Sequence, residues 1–179
     1  MKKILLVAAA AAGLASIAPA FAADGTITVT GNVVANTCRV AGTTGTNVAV
    51  TLPDVQTIAL ASNGQVANTT PFQIKVSSCT AGTKAAAYFE PTTAIDPTTD
   101  NLRNLAPAGS AAANVQVRLL NADLSQIKLS AVRGSQSSQQ ITTDGTGAGN
   151  LNYYAQYYAT GTSTAGALTT NVQYTMVYN

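Results

Sequence analysis

From residue 26 onward, apolar and polar positions alternate in short runs, and the runs are broken by Gly, Pro, Asn and Asp. A period of two sends successive side chains to opposite faces, which marks a half-buried strand, and a chain rich in Val and Thr suits a pleated surface. The runs predict strands at 26–40, 46–52, 71–78, 84–90, 113–120, 126–132, 150–160 and 168–178, with loops at 91–112 and 134–149. No segment shows the three-to-four-residue spacing of an amphipathic helix. No repeat or linker divides the strands, so one all-β sandwich around a single core is expected.

The first 22 residues depart from this pattern. Lys2 and Lys3 precede an apolar or small stretch from Ile4 to Ala18, followed by Pro19-Ala20-Phe21-Ala22. A basic start, an apolar centre and an A-x-A end make a secretory signal peptide, cleaved after Ala22. No later stretch is apolar and long enough for a bilayer-spanning helix, so the product is read as exported, without stable membrane insertion. Removing 22 of 179 residues leaves 157, enough for one domain with a full core. Removal also takes two of the nine basic residues, so that seven Lys and Arg balance seven Asp and Glu. A neutral chain with no basic run makes nucleic acid a poor partner.

Export changes the reading of the two cysteines, Cys38 and Cys79. In an oxidising compartment such a pair closes into a disulfide, and a loop of about forty residues gains roughly 4 kcal/mol in the chain-entropy model. Two cysteines and no histidine cannot supply an ordinary zinc ligand set. No cofactor or metal is expected.

Catalysis has little to draw on, because there is no histidine and no spare thiol. The carboxylates Asp24, Asp54, Glu90, Asp96, Asp100, Asp123 and Asp144 mostly stand beside Gly, Pro, Asn or Ser, where Asp commonly caps a turn. The run Gly145-Thr146-Gly147-Ala148-Gly149 has no following helix and no lysine for a phosphate, so it reads as a turn. In Tyr153-Tyr154-Ala155-Gln156-Tyr157-Tyr158, Tyr153 and Tyr157 share one strand face and Tyr154 and Tyr158 the other. Packing is the favoured reading of these rings, with stacking on sugars as the alternative.

Both terminal segments alternate. Gly25, Ile27, Val29 and Gly31 fall on one face with threonines between them, and Val172, Tyr174, Met176 and Tyr178 fall on another. An apolar-alternating strand at a chain end invites pairing with a second chain.

A set of motifs in order extends these features over essentially all of the region after residue 22. They are Gly25 to Val29, Gly31 to Cys38, Pro71 to Cys79, Val115 to Leu120, Tyr157 to Thr160, then Gly166, fourteenth from the end, and the penultimate Tyr178. With them the chain resembles the major subunits of type 1-like, chaperone-usher pili. The resemblance implies an incomplete immunoglobulin-like β-sandwich that lacks its last strand and is completed by donor-strand complementation. It divides the chain into a signal peptide at 1–22, a donor-strand extension at 23–30 and a pilin domain at 31–179. Ile27 and Val29 are then expected to fill groove pockets of another copy, with Gly25 where the groove narrows. A relay is implied in which a periplasmic chaperone first lends a strand and grips the C-terminal strand, and the N-terminal extension of the next subunit replaces it at the outer-membrane usher. The chaperone would hold Gly166, Val172, Tyr174, Met176 and Tyr178. The implied product is a structural fibre of the cell surface that supports adhesion, with other copies of the chain, and a tip adhesin, as partners. A minor or tip pilin with a glycan-binding role is the alternative, although the family's tip adhesins add a lectin domain for which 157 of the 179 residues leave no room.

Overall fold

The structure is a computed structural model that describes residues 28–30 and 38–179. The chain divides into two units, Met1–Val34 and Ala35–Asn179. The second unit holds every described strand. These are β1 Arg39–Ala41, β2 Val66–Ser77, β3 Lys84–Phe89, β4 Ile95–Asp96, β5 Asn101–Arg103, β6 Val115–Asn121, β7 Gln140–Thr142, β8 Gly149–Ala159 and β9 Tyr174–Tyr178. A short 3-10 turn covers Thr57–Leu60.

Two antiparallel sheets face each other. The larger has the order β1-β2-β8-β6-β5-β4 and the smaller β7-β3-β9. Alternation decides which side of each strand is buried: Ile74 and Val76 on β2, Leu151, Tyr153 and Ala155 on β8, Val117 and Leu119 on β6, and Ala87 and Phe89 on β3 form one core. Tyr153 lies at its centre, fully buried, with its ring 5.5 Å from Phe72 and 5.7 Å from Phe89. A second small cluster gathers Leu60, Val115 and Ala159 at one end.

β2 and β8 are the long central pair, in register from Phe72 opposite Tyr153 to Val76 opposite Gly149. A bulge between Ala67 and Thr70 interrupts this ladder, and Asn68 sits there at φ 52°. Its amide nitrogen donates to the carbonyls of Pro53 and Asp54, which secures the end of the segment that precedes the 3-10 turn. Asn tolerates this left-handed conformation better than most residues, so the bulge and the anchor share one cause.

The predicted strands at 71–78, 84–90, 113–120 and 150–160 correspond to β2, β3, β6 and β8. Others need correction. Residues 28–30 form no strand, and in the described part of the predicted 26–40 only Arg39 and Val40 are laddered, at the start of β1; residues 26, 27 and 31–37 lie outside the described part. Only Tyr174–Tyr178 of 168–178 is laddered. The predicted loops contain β4, β5 and β7, which are two or three residues long and too short to show a period.

Residues 126–132 are not a strand, although Ile127 and Leu129 are fully buried. Their backbone is satisfied piecemeal: the Ile127 amide donates to Leu119, the Lys128 amide to Gln136, and the Leu129 carbonyl accepts from the Gln136 side chain. Gln136, itself buried, also exchanges two hydrogen bonds with the backbone of Phe89. A side-chain amide thereby takes the place of a neighbouring strand.

Residues 46–52 differ in another way. Val48, Val50 and Leu52 are half-buried against the main core while Asn47, Ala49 and Thr51 are exposed, so the predicted alternation is present. No described strand pairs with them.

Candidate functional site

A groove of about 1060 Å³ lies between β9, with the segment that leads into it, and residues 46–52. Phe72, Ile74, Val117, Leu119 and Ala155 form its floor. β9 pairs with β3 through Tyr174 opposite Phe89, Met176 opposite Ala87 and Tyr178 opposite Ala85. Its other edge has no strand beside it among the described residues. The groove is therefore a gap in the smaller sheet, with apolar side chains below and a strand edge on one side.

Val172, Tyr174 and Met176 line this gap, and together with Tyr178 they pack on the main core. Period-two geometry alone accounts for that, since all four share one parity. Val172 belongs to the lead-in rather than to the strand itself. The lining carries one charged residue, Glu90, so an uncharged apolar segment matches it best. Burial pushes the Tyr174 phenol above its ordinary value, with Tyr178 adding to the effect, which keeps the hydroxyl protonated as a donor at neutral pH. That hydroxyl donates to the carbonyl oxygen of Thr46 on the opposite lip.

Gly166 stands apart from the groove, in the loop that leads toward it. A Cβ at this position would lie 2.5 Å from the Ala112 amide nitrogen, 2.6 Å from the Ala111 carbonyl carbon and 2.7 Å from the Ser110 carbonyl oxygen. Its side-chain-free backbone is what lets two loops meet, and Ala111 and Ala167 form a parallel bridge there. Asn104 fastens the same junction with four hydrogen bonds, donating to Ala112 and Ala167 and accepting from Ala106 and Thr169. Neither Asn104 nor the role of 46–52 as a groove wall was singled out by sequence reasoning. The alternation at Val48, Val50 and Leu52 was the available signal for the second.

A disulfide joins Cys38 and Cys79, at the start of β1 and just past the end of β2. Of the predicted donor residues, Val29 is exposed. Gly25, Ile27 and Gly31 lie outside the described residues.

The other candidate chemistry is structural. Asp96, Asp123 and Asp144 each accept from the amide two residues on, at Thr98, Ser125 and Thr146, as turn caps do. These bonds hold their carboxyls below the ordinary range, with the neighbouring hydroxyls of Ser125 and Thr146 foremost for Asp123 and Asp144. Tyr158 has the Arg118 guanidinium 4.0 Å over its ring, which covers one of its faces. Among the described residues no helix is long and apolar enough to cross a membrane.

Residues 52–179 match the family model of the type-1 fimbrial protein, A (FimA). The chain belongs to the type-1 fimbrial protein family. It is similar to the major fimbrial subunit SMF-1 of Stenotrophomonas maltophilia (strain K279a), 46% identical over 161 residues that cover 88% of this chain and 94% of that protein. It is also similar to the F17 fimbrial protein of Escherichia coli, 44% identical over 170 residues, 92% of each chain. Among solved structures, a subunit of a chaperone-usher pilus superposes with a TM-score of 0.55 at 16% identity, covering 88% of this chain and 96% of that one. The P pilus rod subunit PapA does so with a TM-score of 0.51 at 14% identity, covering 86% and 100%. At such identity these two show the fold, an incomplete immunoglobulin-like sandwich of the pilin kind. Family membership makes this fimbrial chain a structural, self-associating subunit of a chaperone-usher fimbria at the cell surface, and not an enzyme.

Proposed function

We propose that this fimbrial subunit polymerises head-to-tail, the segment at 23–30 of one copy entering the groove of another, to build the shaft of a fibre that supports adhesion. The observation that carries the reading is the gap itself, because an apolar floor open beside a strand edge that no described strand covers is a site for an added strand. The alternating stretch 48–52, which no described strand pairs with, supports it, since a strand laid along β9 would supply that stretch with a neighbour. Donor and acceptor are different surfaces, so the contact does not close on itself and the product is a filament. A periplasmic chaperone would lend the first strand to the same groove, the outer-membrane usher would exchange it, and a tip adhesin would end the fibre. The pilin domain at 31–179 is the folded acceptor in this scheme, and the shaft role is favoured by similarity to major subunits.

Replacing both Ile27 and Val29 by Asp tests the reading. Burial of each is worth about 1.5–3 kcal/mol, so their combined loss weakens the contact by at least a hundredfold before the cost of burying charge. Electron microscopy of sheared surface material is expected to show no fibres from the double variant. Long fibres of normal diameter would rule the donor assignment out.

A further inference from the structure

We infer that the Tyr174 hydroxyl is a latch across the groove, which holds its two lips together until a strand enters. The inference rests on the strand-acceptor reading and adds a control to that site. Tyr174 stands on β9, and Thr46 belongs to the tight turn where Thr44 and Asn47 exchange both backbone hydrogen bonds. The hydroxyl-to-carbonyl bond connects residues 128 positions apart in the chain. Both residues line the groove, so the bond spans the space that an entering strand needs. Among the described residues no backbone ladder joins the two lips. Residues 46–52 are held instead by their apolar contacts with the core, by the Ala49 amide donating to the Thr43 hydroxyl within the same lip, and by Asn68 beyond their far end, which grips Pro53 and Asp54. Anchored at one end and latched at the other, this segment is a strap.

The energetics suit a gate. One such hydrogen bond contributes modestly, equivalent to about a two- to tenfold bias toward the closed groove. That is small beside the burial of two apolar side chains, so a donor strand that buries both overcomes the latch, whose cost falls equally on every entering segment. A latch differs from ordinary structural support in the sign of its removal. Losing support loosens binding, whereas losing a latch tightens it, because the cost of opening disappears.

The test uses the mature chain with its disulfide intact and, as probe, a labelled synthetic peptide with the sequence of residues 23–34, followed by stopped-flow fluorescence anisotropy. Tyr174→Phe keeps the ring and removes the donor. It is expected to raise the association rate about two- to tenfold, exceeding any rise in dissociation, so that affinity increases. Gly42→Ala attacks the other lip: its Cβ would lie 2.2 Å from the Asn47 carbonyl oxygen and displaces the turn that presents Thr46. The same acceleration is expected, with faster amide exchange across 47–51 in both variants. Unchanged or weaker peptide binding by both variants, with the wild type binding normally, overturns the latch and leaves the acceptor reading standing. No binding by the wild type or either variant overturns the acceptor reading and the latch with it.

Discussion

Gly166→Ala puts one carbon where the structure has no room for it. The added Cβ would stand 2.5–2.7 Å from three backbone atoms of Ser110, Ala111 and Ala112, none of which can rotate away as a side chain would. Ordinary contact begins near 3.4 Å, so the two loops must separate by about 0.9 Å. The junction is held by the Ala112 amide donating to Ala167 at 2.9 Å and the Ala167 amide donating to Ser110 at 2.6 Å. Giving up both costs about 1–3 kcal/mol at a net 0.5–1.5 kcal/mol each. Backbone conformation adds nothing, since Gly166 is not among the residues with positive φ. Against a typical total of about 5–15 kcal/mol this is a measurable loss. Urea unfolding of the oxidised mature chain, followed by far-ultraviolet circular dichroism, is expected to show a lower midpoint with an unchanged slope. Gly161→Ala serves as the comparison, because its nearest neighbour is the Asn114 side chain at an ordinary 3.5 Å. If Gly166→Ala lies within about 0.5 kcal/mol of the wild type, as surface substitutions commonly do, the close-approach account of this glycine is wrong.

Further expectations concern the core, one orphan hydroxyl and acid. Tyr153→Phe removes the hydroxyl that meets Ser138 at 3.0 Å and is expected to cost about 0.5–1.5 kcal/mol, whereas Tyr153→Ala empties the centre of the sandwich and costs about 3–5 kcal/mol, both read by urea unfolding. The Thr170 hydroxyl is buried without a hydrogen-bond partner, so the near-isosteric Thr170→Val is expected to stabilise the chain by about 1 kcal/mol; a lower unfolding midpoint would show that the hydroxyl is satisfied after all. The Asp96 carboxyl is held below 3.8 chiefly by the Thr98 amide, with Gln116 and Arg103 assisting. A depressed folded value means that its contribution is whole above pH 3.8 and fades as pH falls below that through the lower folded value. Stability measured down the acid range is expected to fall less steeply for Asp96→Asn than for the wild type, and only in part, because Asp123 and Asp144 are depressed as well.

The class of the fold was legible wherever a run was long enough to show its period. Phe72, Ile74 and Val76 alternate with Gln73 and Lys75, and Leu151, Tyr153 and Ala155 alternate with Asn150 and Asn152, and these runs became the central pair. Ile127 and Leu129 alternate equally well, yet their segment is not a strand, because Gln136 and Leu119 satisfy its backbone. Gly166 drew notice through its place in a motif, but its physical role belongs to the loop at 110–112, more than fifty residues earlier in the chain. Residues 46–52 show the opposite mismatch, with a strand's burial pattern and no described neighbour to pair with.

The exported, all-β, disulfide-bonded character of the chain and the inward faces of its main strands were thus readable from the order of residues alone. Composition and period two are local properties, and they carry that information directly. Three-dimensional packing was needed to make β9 the edge of the smaller sheet among the described residues, to lay Phe72, Ile74, Val117, Leu119 and Ala155 as the floor beside it, and to bring Tyr174 across to Thr46. Alternation says which side of a strand seeks cover but is silent on which strand lies next to it, because that choice is made by hydrogen bonds perpendicular to the chain.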